Sequence, residues 1–183
     1  MSRPDPVDPI AFLRGLRATR RFAPDPVPDE ALADILDAAR WTGSSMNRQP
    51  WHVVVVRDRA TLDELAAIGT YTRHLADAPL GLFLVMDGDD PIDEAYDDGR
   101  LSERIMLAAR AHGLGSCIGW YWDEGHEPAA KAALGVPPER TLRTALSIGY
   151  PLREREAERA ESSAARKPLA EIVSFERFGN AGS

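Results

Sequence analysis

The sequence predicts a single domain in which helices alternate with buried strands. Three observations carry that expectation. Apolar runs of strand length, rich in β-branched residues, recur at 52–56, 80–87, 116–122 and 142–149. Between them, leucine, isoleucine and alanine repeat at helical spacing. Finally, 183 residues with 44% apolar and 28% charged side chains suffice for one core, with no internal repeat and no linker long enough to separate two domains.

Composition also excludes function classes. A net charge of -7 argues against nucleic acid, whose phosphates demand a basic face. No basic amphipathic helix suggests a membrane surface, and no apolar run reaches spanning length. The start, MSRPDPVDPIAFLRGL, is rich in proline and aspartate and has no apolar signal-peptide core. The single cysteine, Cys117, has no intrachain partner for a disulfide, which fits the reducing cytoplasm. His52, His74, His112 and His126 follow neither HExxH nor a paired Cys/His spacing, so no metal site is expected.

In chain order, residues 1–9 read as a flexible N-terminus, and 10–16 as a short apolar-containing segment running into Arg17-Ala18-Thr19-Arg20-Arg21-Phe22. A helix over 29–40 opens after Pro28, with Asp29 and Glu30 complementing its dipole. Its core face is Leu32, Ile35, Leu36 and Ala39.

The connection RWTGSSMNRQPW (40–51) then runs into the first strand, read as fully buried. It is a hydrogen-bonding loop with an aromatic floor, held between a helix end and a strand, the kind of place where functional groups sit. Asp58 caps a helix with Leu62, Leu65 and Ile68 on one face. Pro79 introduces the second strand, and 88–91 form a turn.

The longest helix is expected over 93–112, with Leu101, Ile105, Ala108 and Ala109 inward and Gly113 and Gly115 ending it. A third strand, a short helix over 127–134 stopped by Gly135, and a fourth strand follow. Residues 153–166 form a charged, solvated loop. The tail, 168–178, turns apolar again (Ile172, Phe175, Phe178) and is expected to pack on its own sheet or on a partner subunit.

Taken together, RATRRF, PVPDE, SSMNRQPW, the helix DDGRLSERIMLAARAHGLGS leading into CIGW, SIGYP and ARKPLAEIV resemble, in that order, the nitroreductase family in its short single-domain form. The resemblance spans about residues 10–178. It implies an α+β fold, a mixed and mostly antiparallel sheet flanked by helices. It also implies a homodimer with FMN sites shared between subunits, and NAD(P)H as co-substrate. A ping-pong transfer of electrons to nitroaromatics, quinones or similar small acceptors follows from it.

By matching position, the resemblance places Arg17, Ala18, Thr19 and Arg20 at the FMN phosphate and ring. Ser44, Asn47 and Gln49 fall where the neighbouring subunit reaches the flavin. Ile118 and Gly119 fall where a backbone amide faces the hydride-accepting nitrogen, and Gly149, Arg166 and Lys167 near a second phosphate contact. The sequence departs from the family pattern at Gly43, Ala18 and Glu103-Arg104, usually proline, serine and glutamine-asparagine.

Residue chemistry suits these roles. Arginine binds phosphate bidentately, and Arg17 and Arg20, three apart, would face one way on a helical turn. Side-chain amides such as Asn47 match the alternating donors and acceptors of a flavin edge. A backbone N–H near Ile118-Gly119 would stabilise negative charge on a reduced ring, with Gly119 letting the ring come close. No side chain is assigned as a catalytic acid or base. Within the same resemblance, the alternatives are a flavin or deazaflavin dehydrogenase of a dedicated substrate, and a non-catalytic flavin-binding protein.

Plainer readings stand beside each candidate. The arginines alone would make an exposed basic patch, and Asn47, Gln49 and Pro50 ordinary turn chemistry. Trp51 is expected in the core. Of Trp120, Tyr121 and Trp122, two rings share one face and one faces away. Tyr71 and His74 read as ordinary loop residues, with a place at a pocket mouth the less favoured reading, Asp97 and Asp98 as helix-dipole partners, and Cys117 as a small buried filler.

Overall fold

The computed structural model describes residues 8–152 and 166–180, which fall into two separate units. The described part of the first holds α1 (Pro9–Arg14), α2 (Asp29–Arg40), β1 (Trp51–Val56), α3 (Arg59–Ile68), β2 (Leu80–Met86), α4 (Pro91–Ala111), β3 (Gly115–Trp120), α5 (His126–Leu134) and β4 (Thr141–Gly149), with short 3-10 turns at Ser45–Asn47 and Arg73–Asp77. In the second, α6 (Leu169–Ile172) is one helical turn, and Leu169, Ile172, Phe175 and Phe178 are exposed within it. All but Arg166 of the charged stretch 153–166 lies outside the described residues.

The fold is α+β. Four strands pair in the order β1-β2-β4-β3, antiparallel at every ladder, and the parallel component is a single bridge from Ala18 to Ser116. β2 is buried along its whole length because it lies inside the sheet with helices over both faces. Leu80, Leu82 and Leu84 point into a core with α2 and α4, built on Ile35, Leu101 and Ile105. Phe83 and Val85 point the opposite way, against Leu62 and Leu65 of α3 and Ala130 of α5. Each such buried leucine or phenylalanine contributes roughly 1.5–3 kcal/mol. Two faces with one alternation explain why β2 reads as a continuous apolar run.

Three readings change. β1 is an edge strand: Val53 and Val54 are half-buried, Val55 is exposed, and Val56 alone is buried. Its β-branched run reflects strand propensity rather than burial. β3 stops at Trp120, although Tyr121 continues the alternation: its N–H donates to the Arg143 carbonyl at 2.9 Å, and its ring is the buried one. Trp120 and Trp122 share the other face, with ring centroids 6.3 Å apart.

The third concerns α4, which starts at Pro91 with Asp90 as its cap. Asp97 and Asp98 therefore lie two turns inside the helix, 2% and 7% exposed, and are not dipole partners. Asp98 accepts from Thr144 Oγ1 on β4 at 2.8 Å and from Ser102 Oγ at 3.2 Å. Burial pushes its carboxyl above the ordinary range against these two hydrogen bonds. A raised acid contributes a cost that is absent below the unfolded pKa and complete above the folded one. The Asp98→Asn variant should therefore melt at a temperature that improves relative to wild type between pH 4.5 and pH 8. A constant difference across that range would show that Asp98 ionises freely.

Candidate functional site

The basic segment is not helical. After α1 the chain runs extended, Thr19 donates its N–H to the Ser116 carbonyl at 2.7 Å, and Phe22 bridges Pro151. This laying-down needs glycine beneath it. A Cβ on Gly115 would stand 2.5 Å from Thr19 Oγ1, and one on Gly149, its cross-strand partner, 2.6 Å from Pro79. Gly115 is thus the floor of the segment rather than a helix stop; Gly113, at φ 71°, ends α4.

The three arginines have different fates. Arg21 pairs with Asp77 at 2.5 Å, and Arg17 turns its guanidinium onto the carbonyls of Arg14 and Leu16 at 2.6 and 2.8 Å. Arg20 is exposed, no carboxylate pairs with it among the described residues, and its charge is felt by His74. A shared helical turn is therefore the wrong picture for Arg17 and Arg20, and Arg20 is the cation open to an anionic ligand. Ala18 is half-buried and Thr19 buried beside β3.

Strand parity identifies the peptide that can meet a ligand. Ser116 accepts from the basic segment on the outer side of β3, whereas Tyr121 donates to Arg143 on the inner side. Even-numbered residues of this strand therefore turn their backbone N–H outward, and that of Ile118 points to an edge that no strand among the described residues covers beyond the Ala18 bridge. Gly119 bonds inward. A Cβ on it would meet Thr72 Cγ2 at 3.0 Å and His74 Nε2 at 3.1 Å, so its missing side chain makes room for the 71–74 segment and not for a ligand.

The 41–50 loop lies elsewhere. Met46, Asn47 and Gln49 have φ of 48°, 56° and 50°, a concentration of left-handed backbone in non-glycine residues. Ser44 Oγ accepts the Gln49 N–H at 2.8 Å and closes the turn. Such strain persists only where surroundings enforce it and tends to mark functional sites. Asn47 is exposed and tolerates this backbone; alanine there would cost roughly 1 kcal/mol. Asn47→Gly should therefore melt closer to wild type than Asn47→Ala does. Equal melting of the two would mean the turn carries no strain.

One chain does not bring all candidates together. Thr19, Arg20, Ile118, Gly119 and Gly149 gather where β3 and β4 meet the basic segment. Ser44, Asn47 and Gln49 precede β1, at the opposite edge and the opposite end of the sheet. Three strand spacings amount to about 14 Å, and the length of β3 adds roughly 20 Å along the other direction. Arg166 and Lys167 are exposed in the second unit.

Sequence reasoning gave His74 no role beyond the loop it was read on. It is buried, with Nδ1 2.7 Å from Ser147 Oγ, and it is no pocket-mouth residue. Spacing offered no signal for it, because its partner is 73 residues away on β4. Trp122 and Tyr71 remain exposed beside this region. Among the described residues no cluster of His, Cys, Asp or Glu could hold a metal ion, and no helix is long and apolar enough to cross a membrane.

Comparison with known proteins meets this geometry. The profile of the Nitroreductase family matches residues 13–72, which include the basic segment and the strained loop. A protein of Archaeoglobus fulgidus, provisionally named NADH dehydrogenase/NAD(P)H nitroreductase, is 33% identical over 76% of this chain and 83% of its own. The solved structure of an FMN-dependent nitroreductase from Clostridium difficile superposes with a TM-score of 0.82 at 26% identity, covering 92% of this chain and 99% of that one. A provisionally named nitroreductase of Desulfovibrio desulfuricans, solved in complex with FMN, superposes at 0.76 with 26% identity, covering 97% and 99%.

Proposed function

Because the chain belongs to the nitroreductase family of oxidoreductases, we propose that it is an FMN-dependent NAD(P)H oxidoreductase, acting as a cytoplasmic homodimer on small nitroaromatic, quinone or related acceptors. The observation that carries the reading is the edge of β3, where the basic segment is bonded at Ser116, the Ile118 N–H points outward, and the charge of the exposed Arg20 is felt by the nearby His74. An anion-binding guanidinium and a backbone donor on the same edge suit a ligand with a phosphate at one end and an electron-accepting ring at the other. The residues present therefore fit FMN.

In this reading Arg20 holds the phosphate, with Arg17 released from the two carbonyls it now meets. Ala18 and Thr19 line the approach. The Ile118 N–H faces the ring where negative charge grows on reduction and, as a backbone donor, orients without giving up its proton. Gly119 and Gly149 keep the segments behind it close. FMN supplies the redox chemistry when bound; the protein binds, orients and excludes water. Trp122 and Tyr71 offer apolar surface to an acceptor.

The diagonal separation of Asn47 from Arg20 favours a dimer in which each site takes Arg17–Arg20 and Ile118 from one chain and Ser44, Asn47 and Gln49 from the other. Asn47 then meets the polar edge of the ring.

The test is direct. Protein saturated with FMN should bleach anaerobically on addition of NADH or NADPH and recover its colour with a quinone, and steady-state plots should be parallel. A flavin that stays oxidised under both nucleotides would leave only a flavin-binding module. Preference for a deazaflavin over FMN would make the chain a dedicated dehydrogenase instead.

A further inference from the structure

The basic segment hangs from α1, and α1 has little of its own to hold it in place. None of its residues is buried. Among the described residues, one hydrogen bond ties its end to another element. Arg110, in the last turn of α4, donates from Nη1 to the Gly15 carbonyl at 2.6 Å. The same guanidinium lies over the Phe12 ring, 5.2 Å from its centroid. Its Nε is buried without a partner, and no carboxylate pairs with it among the described residues.

Gly15 makes the contact possible. Its φ of -83° suits any residue, so the glycine is not there for its backbone. A Cβ would overlap Arg110 Nη2 and stand 2.8 Å from Cζ, so the missing side chain is the seat of the guanidinium. Arginine suits that seat better than lysine would, since a planar fork can donate to the carbonyl while stacking on the ring. A plainer role would be a cation complementing the C-terminal end of α4. A charge serving only that dipole needs neither half-burial nor a carbonyl 95 residues away.

The consequence falls on the arginines downstream. Arg17 meets the carbonyls of Arg14 and Leu16, on either side of the one that Arg110 holds. The next fixed point is Thr19, whose N–H is bonded to Ser116. Arg17 therefore stands on a short span between α4 and β3. When it leaves its carbonyls for a phosphate, the Gly15 anchor remains. A guanidinium grips a phosphate bidentately only if the backbone that carries it stays in place.

We propose that Arg110 is a positioning residue for the flavin phosphate: by holding the Gly15 carbonyl and covering Phe12 it fixes the end of α1, and so sets where Arg17 presents its guanidinium. Arg110 does not touch the phosphate itself. This inference rests on the flavin reading and adds to it a residue outside the proposed site.

The contact can be broken from either side. Arg110→Met removes the guanidinium and keeps most of the stem, whereas Gly15→Ala keeps the charge and fills its seat. Without any ligand, Gly15→Ala should lower the melting temperature of wild type more than that of Arg110→Met, since only wild type has a guanidinium to displace. Equal losses would mean that the two groups do not act on each other, and would overturn the proposal.

Fluorescence titration with FMN and with riboflavin, which lacks the phosphate, reads the role. Each variant should bind FMN about fivefold more weakly, part of the one to two orders of magnitude that a charged hydrogen bond carries, while riboflavin binding stays within about twofold. In an Arg17→Ala background neither substitution should lower the FMN preference further, because the effect runs through Arg17. Arg110→Lys, which keeps the charge without the fork, should resemble Arg110→Met.

A lysine variant as FMN-selective as wild type would reduce Arg110 to a distant charge. Equal losses for FMN and riboflavin would make it a packing residue, and a further loss in the Arg17→Ala background would remove the path through Arg17. Each of these overturns the proposal. Wild type that prefers FMN, with both variants keeping that preference, fails this role alone. Wild type that binds neither flavin fails the flavin reading, and the role falls with it.

Discussion

Arg20→Ala is expected to lower FMN affinity by about one to two orders of magnitude, since a hydrogen bond to a charged group contributes roughly 1.5–3 kcal/mol. The structure sharpens the choice of residue. Arg21 is already paired with Asp77, and Arg17 lies on its own backbone, so of the three only Arg20 has neither a carboxylate nor a carbonyl partner among the described residues. The folded chain should lose little, because Arg20 is exposed and forms no ion pair among the described residues. Flavin fluorescence titration and thermal melting separate the two quantities. Equal affinity for wild type and Arg20→Ala would remove the phosphate role. The Arg21→Ala variant is a matched control, expected to retain FMN while losing an exposed ion pair that contributes at most about 1 kcal/mol.

A larger effect is expected from mixing two damaged chains. If each site draws Arg20 from one subunit and Asn47 from the other, Arg20→Ala and Asn47→Gly homodimers are damaged in every site. Unfolding and refolding an equal mixture should give heterodimers in which one site has lost both residues and the other has lost neither. Roughly one site in four then recovers wild-type FMN affinity and NAD(P)H-driven bleaching. Glycine is used at Asn47 because the left-handed backbone there would confound alanine with turn strain. No recovery in the mixture, with heterodimers confirmed by mass, would place both residues in the same subunit's site or remove Asn47 from it.

Much of the chain was legible before any coordinates. Helix α2 has the bounds the sequence suggests, because Pro28 opens it and the apolar spacing runs unbroken to Arg40. Strand β2 and the Gly135 stop after α5 were equally plain. The strands at the sheet edges were not. A run of valines looks the same whether one neighbour covers it or two, so β1 read as interior. Asp97 and Asp98 misled for a related reason. Acidic residues near a predicted helix start suggest the dipole, and nothing local announces that Thr144, far along the chain, waits to hydrogen-bond one of them.

The same division runs through the candidate site. Local order along the chain determined which stretches carry the chemistry: the basic segment, the amide-bearing loop before β1 and the strand holding Ile118. Side-chain type set the ligand chemistry that each could meet. Tertiary structure alone decided which of three neighbouring arginines stays available, which of two adjacent peptides faces outward, and that Gly119 is small for the sake of His74. Each of those outcomes depends on a partner many residues away, through ion pairing, ladder parity or close packing. Chain order records neighbours in sequence, whereas these selections are made by neighbours in space.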